Sequence, residues 1–223
     1  MDISNIKINF LGDSITEGAG ASVYDSCYVK LIEKKLSDSC RNYGIGGTRI
    51  AHQIKPSAVA RYDQDFCSRI DLMDEDANVI VVFGGTNDFG HGDAPIGTIN
   101  DRTPDTFYGA LHYLYRNLII KYPDAFIFII TPLHRFDEEN LKGEGNKEKE
   151  SLPLRDYVKI IREVADFYSI PVLDLYANSG IYPSLPVHKE KYTVDGLHPN
   201  DLGHKIISDR VIEFIKNHLS AKV

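Results

Sequence analysis

Four short stretches of the chain carry the residue types that acyl transfer requires. The first, Gly12-Asp13-Ser14-Ile15-Thr16-Glu17-Gly18, sets a serine behind a glycine and an acid. Where such a stretch closes a strand and opens a helix, the turn exposes the hydroxyl, and helix N–H groups face any anion beside it. The same residues fit a plain strand–turn–helix junction with Ser14 as cap, so this stretch alone leaves both readings open. The second, Asn42-Tyr43-Gly44-Ile45-Gly46-Gly47-Thr48, has glycines whose N–H groups can meet a ligand with no side chain in the way. The third, Gly84-Gly85-Thr86-Asn87-Asp88, offers the Asn87 amide as a donor, or else an Asx turn that shapes a loop. In the fourth, Thr193-Val194-Asp195-Gly196-Leu197-His198-Pro199-Asn200, an acid stands three residues before a histidine. Within one turn the Asp195 carboxylate can hold Nδ1–H of His198 and leave Nε2 free as a base. Of the eight histidines, this one alone is read as having a carboxylate so placed; His52, His112, His188 and His218 are read as surface or helix residues.

These stretches need a scaffold that brings them together. Ile6 to Leu11, Arg41 to Tyr43, Val79 to Phe83, Phe126 to Thr131 and Pro171 to Leu175 read as strands. The third and fourth are continuous apolar runs without alternation, the pattern of parallel strands covered on both faces. Between them run helical stripes: Tyr28, Leu31, Ile32 and Leu36; Phe107, Leu111, Leu114 and Leu118, entered through Thr103-Pro104; Leu154, Tyr157, Ile161, Val164 and Tyr168, entered through Pro153; and Ile207, Val211, Phe214 and Ile215. The alternation predicts one α/β layer sandwich over residues 1–223, with reactive residues beyond the carboxyl ends of the strands. Residues 137–151 are rich in Glu, Lys, Gly and Asn and read as a solvated loop, with a lid as the rival reading.

Composition narrows the class. A formal charge of −7 lacks the basic footprint of a nucleic-acid binder. Cys27, Cys40 and Cys67 are odd in number and lack CxxC spacing, which suits free thiols in a reducing compartment. Residues 1–7 show no basic start followed by a long apolar stretch, and no apolar run reaches membrane-spanning length, so the expected location is cytoplasmic. His91, His134, Asp137 and His188 lack the paired spacing of a metal site such as HExxH.

Taken together and in this order, Gly12-Asp13-Ser14, the glycine of Ile45-Gly46-Gly47-Thr48, Gly85-Thr86-Asn87-Asp88 and Asp195-Gly196-Leu197-His198-Pro199 resemble the four blocks of the SGNH (GDSL-like) hydrolases. The resemblance spans nearly the whole chain. It implies a three-layer α/β/α sandwich with a five-stranded parallel sheet of flavodoxin-like order, and no metal or cofactor. It implies Ser14 as nucleophile, His198 as base and Asp195 as its partner. The oxyanion donors would be the N–H groups of Ser14 and Gly47 and the Asn87 amide. Gly47 is preferred to Gly46 because it directly precedes the small polar Thr48, as in the family pattern. Ile15 stands where many members have leucine.

Substrate is less legible. Asp13, Phe89, His91 and His134, with Tyr24, Tyr43, Arg135 and Phe136, lie beside or after strand ends and are expected to line the pocket. Their mix of polar and aromatic groups points to a small acyl group, an acetyl, on a carbohydrate or other small molecule. The alternatives are a short-chain lipase, thioesterase or lysophospholipase of the same family, and a non-catalytic flavodoxin-like binding module. A homo-oligomer stays open.

Overall fold

The computed structural model describes residues 5–37, 39–145 and 147–220. Residues 1–4, on which the reading of a missing leader partly rests, lie outside the described residues. Five strands, β1 (Lys7–Gly12), β2 (Ser39–Gly44), β3 (Val79–Phe83), β4 (Phe126–Ile130) and β5 (Val172–Leu173), form one sheet in the order β2-β1-β3-β4-β5. Every pairing is parallel. This is the five-stranded parallel order that the resemblance implied. Its helices are α1 (Ser14–Glu17), α2 (Tyr28–Leu36), α3 (Thr86–Gly90), α4 (Phe107–Lys121), α5 (Leu154–Phe167), α6 (Leu175–Asn178), α7 (Pro186–Tyr192) and α8 (Asp201–Ser220).

The apolar runs explain the layers. All five residues of β3 are buried; Val79, Val81 and Phe83 pack with α2 and α8 on one face, and Ile80 and Val82 with α4 and α5 on the other. Strand alternation sends neighbouring side chains to opposite faces, so a two-sided core leaves no polar face to mark. In α2 the core face is Tyr28, Val29, Ile32 and Leu36, with Leu31 only partly buried. Helix α4 begins later than its sequence predicted. Thr106 is the cap, its Oγ1 accepting the Gly109 N–H at 3.0 Å, while the Pro104 carbonyl accepts the His52 N–H at 2.8 Å. Thr103-Pro104 therefore belongs to a turn tied to a distant loop.

The stretch 137–151 forms turns rather than regular structure, and it is anchored rather than merely solvated. The Glu144 N–H donates to the Gly90 carbonyl at 2.7 Å, Arg135 pairs with Glu144 at 2.9 Å, and Lys147 Nζ donates to the Asp88 carbonyl at 2.8 Å. Asn146, within this stretch, lies outside the described residues. Among the described residues, no helix is long and apolar enough to cross a membrane.

Candidate active site

Register decides what meets what. Gly12 pairs with Gly44 on one side and Phe83 on the other, and Phe83 pairs with Ile130. The segments that leave these strands therefore start at one height, where strand order reverses about β1. Helix α1 crosses directly above β2: a Cβ on Gly44 would stand 2.2 Å from the Glu17 nitrogen, so only glycine admits this approach.

At that edge Ser14 Oγ lies 3.0 Å from His198 Nε2, and His198 Nδ1 lies 2.7 Å from Asp195 Oδ2. A carboxylate only accepts, so Nδ1 carries the proton and Nε2 faces Ser14 as an acceptor. Asp195 Oδ1 also accepts the N–H groups of Leu197 at 2.8 Å and His198 at 2.7 Å. Partial burial pushes the Asp195 carboxyl up, but the hydrogen bonds from His198 and Leu197 outweigh it and hold the group below the usual carboxylate range. The turn is pinned to the serine segment. Ser22 donates N–H and Oγ–H to the Asp201 carboxylate at 2.8 and 2.6 Å, and a Cβ on Gly20 would collide with the Pro199 carbonyl.

The expected oxyanion donors differ in how they are held. The Ser14 N–H is at the first position of α1, where a helix supplies no acceptor. Gly46 N–H donates to Glu17 Oε2 at 2.8 Å and is engaged, whereas the Gly47 N–H has no protein acceptor among the described residues. Gly47 holds φ at +76°, a conformation that side-chain-bearing residues rarely adopt. Asn87 is buried, and its Nδ2 donates to the Thr48 carbonyl at 2.9 Å.

The expected pocket residues divide. Phe89 is a correction: it is buried in the core against Tyr157, with ring centroids 6.1 Å apart, rather than turned toward the site. In helix α3 it stands two positions after Asn87, about 200° around the axis, so it faces inward when Asn87 faces the site. Arg135 is buried too, donating to Thr86, and Tyr43 turns its hydroxyl away to accept the Asp74 N–H at 2.9 Å. Tyr24 stays half exposed beside Asn42, its OH 3.3 Å from Nδ2. His91 lines a cavity of about 760 Å³ with Lys55, Asp93 and Lys147, but neither Ser14 nor His198 borders it. His134 gives a second correction, since Glu138 accepts from its Nδ1 at 2.8 Å, so His198 is not alone in having an orienting carboxylate nearby. Its ring lies against Tyr176, with centroids 3.8 Å apart.

Asp13 is likewise no pocket residue. Its buried carboxylate caps α1 by accepting the Ile15 N–H at 3.0 Å. Burial pushes its carboxyl up to about 6, against the pull of the Ile15 N–H and of His198. Between the ordinary carboxylate range and about pH 6 the folded chain thus holds a proton that the unfolded chain has lost, and stability falls as pH rises through that window. Asp13→Asn keeps the capping oxygen and has no charge to bury. Its melting temperature should exceed the parent's at pH 7.5 by several degrees, on the order of 3 kcal/mol at most, with the gap closing toward pH 4. Melts showing one constant gap at both pH values would refute this account.

Sequence reasoning passed over the residues that hold the loops in place. Asp88, buried, accepts the N–H groups of Ile50 at 2.9 Å and Ala51 at 3.0 Å. Arg69, also buried, donates to the Gly12 carbonyl at 3.1 Å, to Thr48 Oγ1 at 3.0 Å and to the Tyr43 carbonyl. Neither carries a local signal, because each acts on segments remote in the chain.

A doubly wound parallel sheet that brings serine, histidine and aspartate side chains together at its carboxyl edge can support acyl transfer to a serine hydroxyl. Comparison with known proteins agrees. A model of the GDSL-like Lipase/Acylhydrolase family matches residues 10–206, and the chain belongs to that family as a carboxylic ester hydrolase. A solved protein from Lactobacillus plantarum is 31% identical, with TM-score 0.83 over 97% of this chain and 99% of its own. The lipase/acylhydrolase from Enterococcus faecalis is 20% identical, with TM-score 0.64 over 96% of each chain. An acetyl xylan esterase is 22% identical, with TM-score 0.61 over 94% of this chain and 100% of its own. No curated protein matches the chain in sequence.

Proposed function

We propose that the chain is a serine esterase that removes a small acyl group, an acetyl, from a carbohydrate. The observation that carries the catalytic half is the line of contacts from Ser14 Oγ to His198 Nε2 at 3.0 Å and from His198 Nδ1 to Asp195 at 2.7 Å. His198 takes the Ser14 proton as Oγ attacks the ester carbonyl, and the oxyanion forms among the N–H groups of Ser14 and Gly47 and the Asn87 amide. The C–O bond to the alcohol then breaks, with His198 returning the proton to the leaving oxygen. Water, deprotonated by the same histidine, cleaves the acyl-enzyme and frees the acid.

The substrate half is supported by the wall beside the catalytic turn. The Phe136 N–H donates to the Gly196 carbonyl at 2.8 Å, which places this residue next to Asp195-Gly196. Phe136 borders a cavity of about 400 Å³ with Ser184, Lys189, Thr193 and Val194, beside the turn and not bordered by Ser14 or His198, and the Lys189 ammonium stands 4.6 Å from its ring centre. An aromatic face among hydrogen-bonding groups suits a sugar, which is apolar across its C–H face and polar at its hydroxyls. An acetyl xylan esterase of similar fold supports this reading. Free Cys27 and Cys67, both buried, fit action in a reducing compartment such as the cytoplasm.

The test is a rate series from acetate to octanoate p-nitrophenyl esters, with an acetylated oligosaccharide alongside. We expect kcat/KM to fall with chain length, and Phe136→Ala to raise KM for the saccharide while sparing p-nitrophenyl acetate. A preference for octanoate would overturn the acetyl reading and favour a lipase or lysophospholipase.

A further inference from the structure

Gly46 and Gly47 follow one another in the loop after β2, so no side chain resists rotation of the peptide between them. That peptide carries the Gly47 N–H. Its neighbours, by contrast, are held. On the near side, Glu17 accepts the Gly46 N–H at 2.8 Å, and the Ile45 carbonyl accepts Thr48 Oγ1–H at 2.7 Å. On the far side, Arg49 donates to the Gly47 carbonyl at 3.2 Å. Glu17 lies one helical turn after Ser14, and both flank Gly46: a Cβ there would stand 2.8 Å from Glu17 Oε2 and 3.5 Å from Ser14 Cβ.

A carboxylate in that place carries an electrostatic cost. It would oppose the negative charge that develops on the substrate oxygen beside Ser14. Its second oxygen, however, is paired with Arg61, on the short 3-10 turn Ala60–Asp63. Tyr62 of the same turn covers Gly47, where an added Cβ would come within 2.5 Å of the ring.

We infer that Glu17 and Arg61 act as one positioning device for the oxyanion loop: Glu17 fixes the glycines, and Arg61 cancels the charge with which it does so. The inference rests on reading Gly47 as an oxyanion donor. It has an unusual consequence, that removing Arg61 alone is worse than removing both charges. Arg61→Gln leaves Glu17 bare. Glu17→Gln with Arg61→Gln keeps a carbonyl oxygen for the Gly46 N–H and presents no charge.

The experiment measures kcat and KM for p-nitrophenyl acetate at low and high salt. Arg61→Gln should lower kcat about five- to tenfold at low salt with KM nearly unchanged, and the deficit should shrink at about 1 M salt because both side chains are substantially exposed. The double variant should recover to within about twofold of the parent, since the repulsion is gone while the acceptor remains. Glu17→Ala, with no acceptor, should lose about tenfold in kcat at either salt. Equal deficits in Arg61→Gln and the double variant, or full activity in Glu17→Ala, would overturn the inference. Ser14→Ala and Asn87→Ala run alongside: if these two lose activity and the Glu17 and Arg61 variants do not, only the positioning device fails. Full activity in Ser14→Ala would remove the reading beneath it.

Discussion

Ser14→Ala is expected to lower kcat for p-nitrophenyl acetate about ten-thousand-fold or more, with KM little changed. The hydroxyl is the group in line with the oriented histidine, 3.0 Å from Nε2. Removing it leaves His198 and the oxyanion donors intact, so the residue of activity would come from water attacking in its place. A side chain that merely capped α1 would behave differently, because Asp13 already accepts the Ile15 N–H at 3.0 Å and would go on doing so. A serine-directed phosphonate should add its mass to Ser14 in the parent and leave the variant unlabelled, while a chelator should leave turnover unchanged. The two probes separate a serine esterase from a metallohydrolase and from a binding module. Equal turnover by parent and variant would end the proposal.

The parts of this site that were legible in the sequence are those whose geometry is local. Asp195 and His198 lie three residues apart in a turn, so the hydrogen bond of 2.7 Å between them follows from spacing and turn chemistry. The buried strands β3 and β4 were visible as unbroken apolar runs, because a strand covered on both faces has no polar side to display. Phe89 shows where local reading misleads. A position just after a strand end suggested the pocket, yet the short helix α3 rotates that side chain into the core. The contacts that hold the site were hidden for a different reason. Glu17 lies within the serine stretch, but Arg61, its partner, stands 44 residues away on a short 3-10 turn. Asp88 and Arg69 bind backbone groups, and a backbone partner leaves no trace in the identity of the residue that supplies it. His134 and Glu138 are four apart without helical patterning around them, so their pairing gave no periodic signal.

Asn87→Ala should cost roughly a hundred- to a thousandfold in kcat, on the order of 3 kcal/mol, as the loss of one side-chain oxyanion donor does in sites of this kind. On the proposed mechanism Asn87 serves while already bonded. A primary amide has two N–H donors, and only one is committed, to the Thr48 carbonyl at 2.9 Å. That bond fixes the amide plane and ties α3 to the loop carrying Gly47, so the second donor is held ready rather than recruited. The ester carbonyl gains less from it than the oxyanion does, so the loss should appear in kcat with KM nearly unchanged. Asn87→Asp sharpens the test. It is nearly isosteric, but an ionised carboxylate cannot donate to Thr48 and would face the oxyanion with like charge, so its kcat should fall below that of Asn87→Ala. The opposite ranking, with Asn87→Asp the more active, would mean that Asn87 shapes the loop and donates nothing to the reacting oxygen.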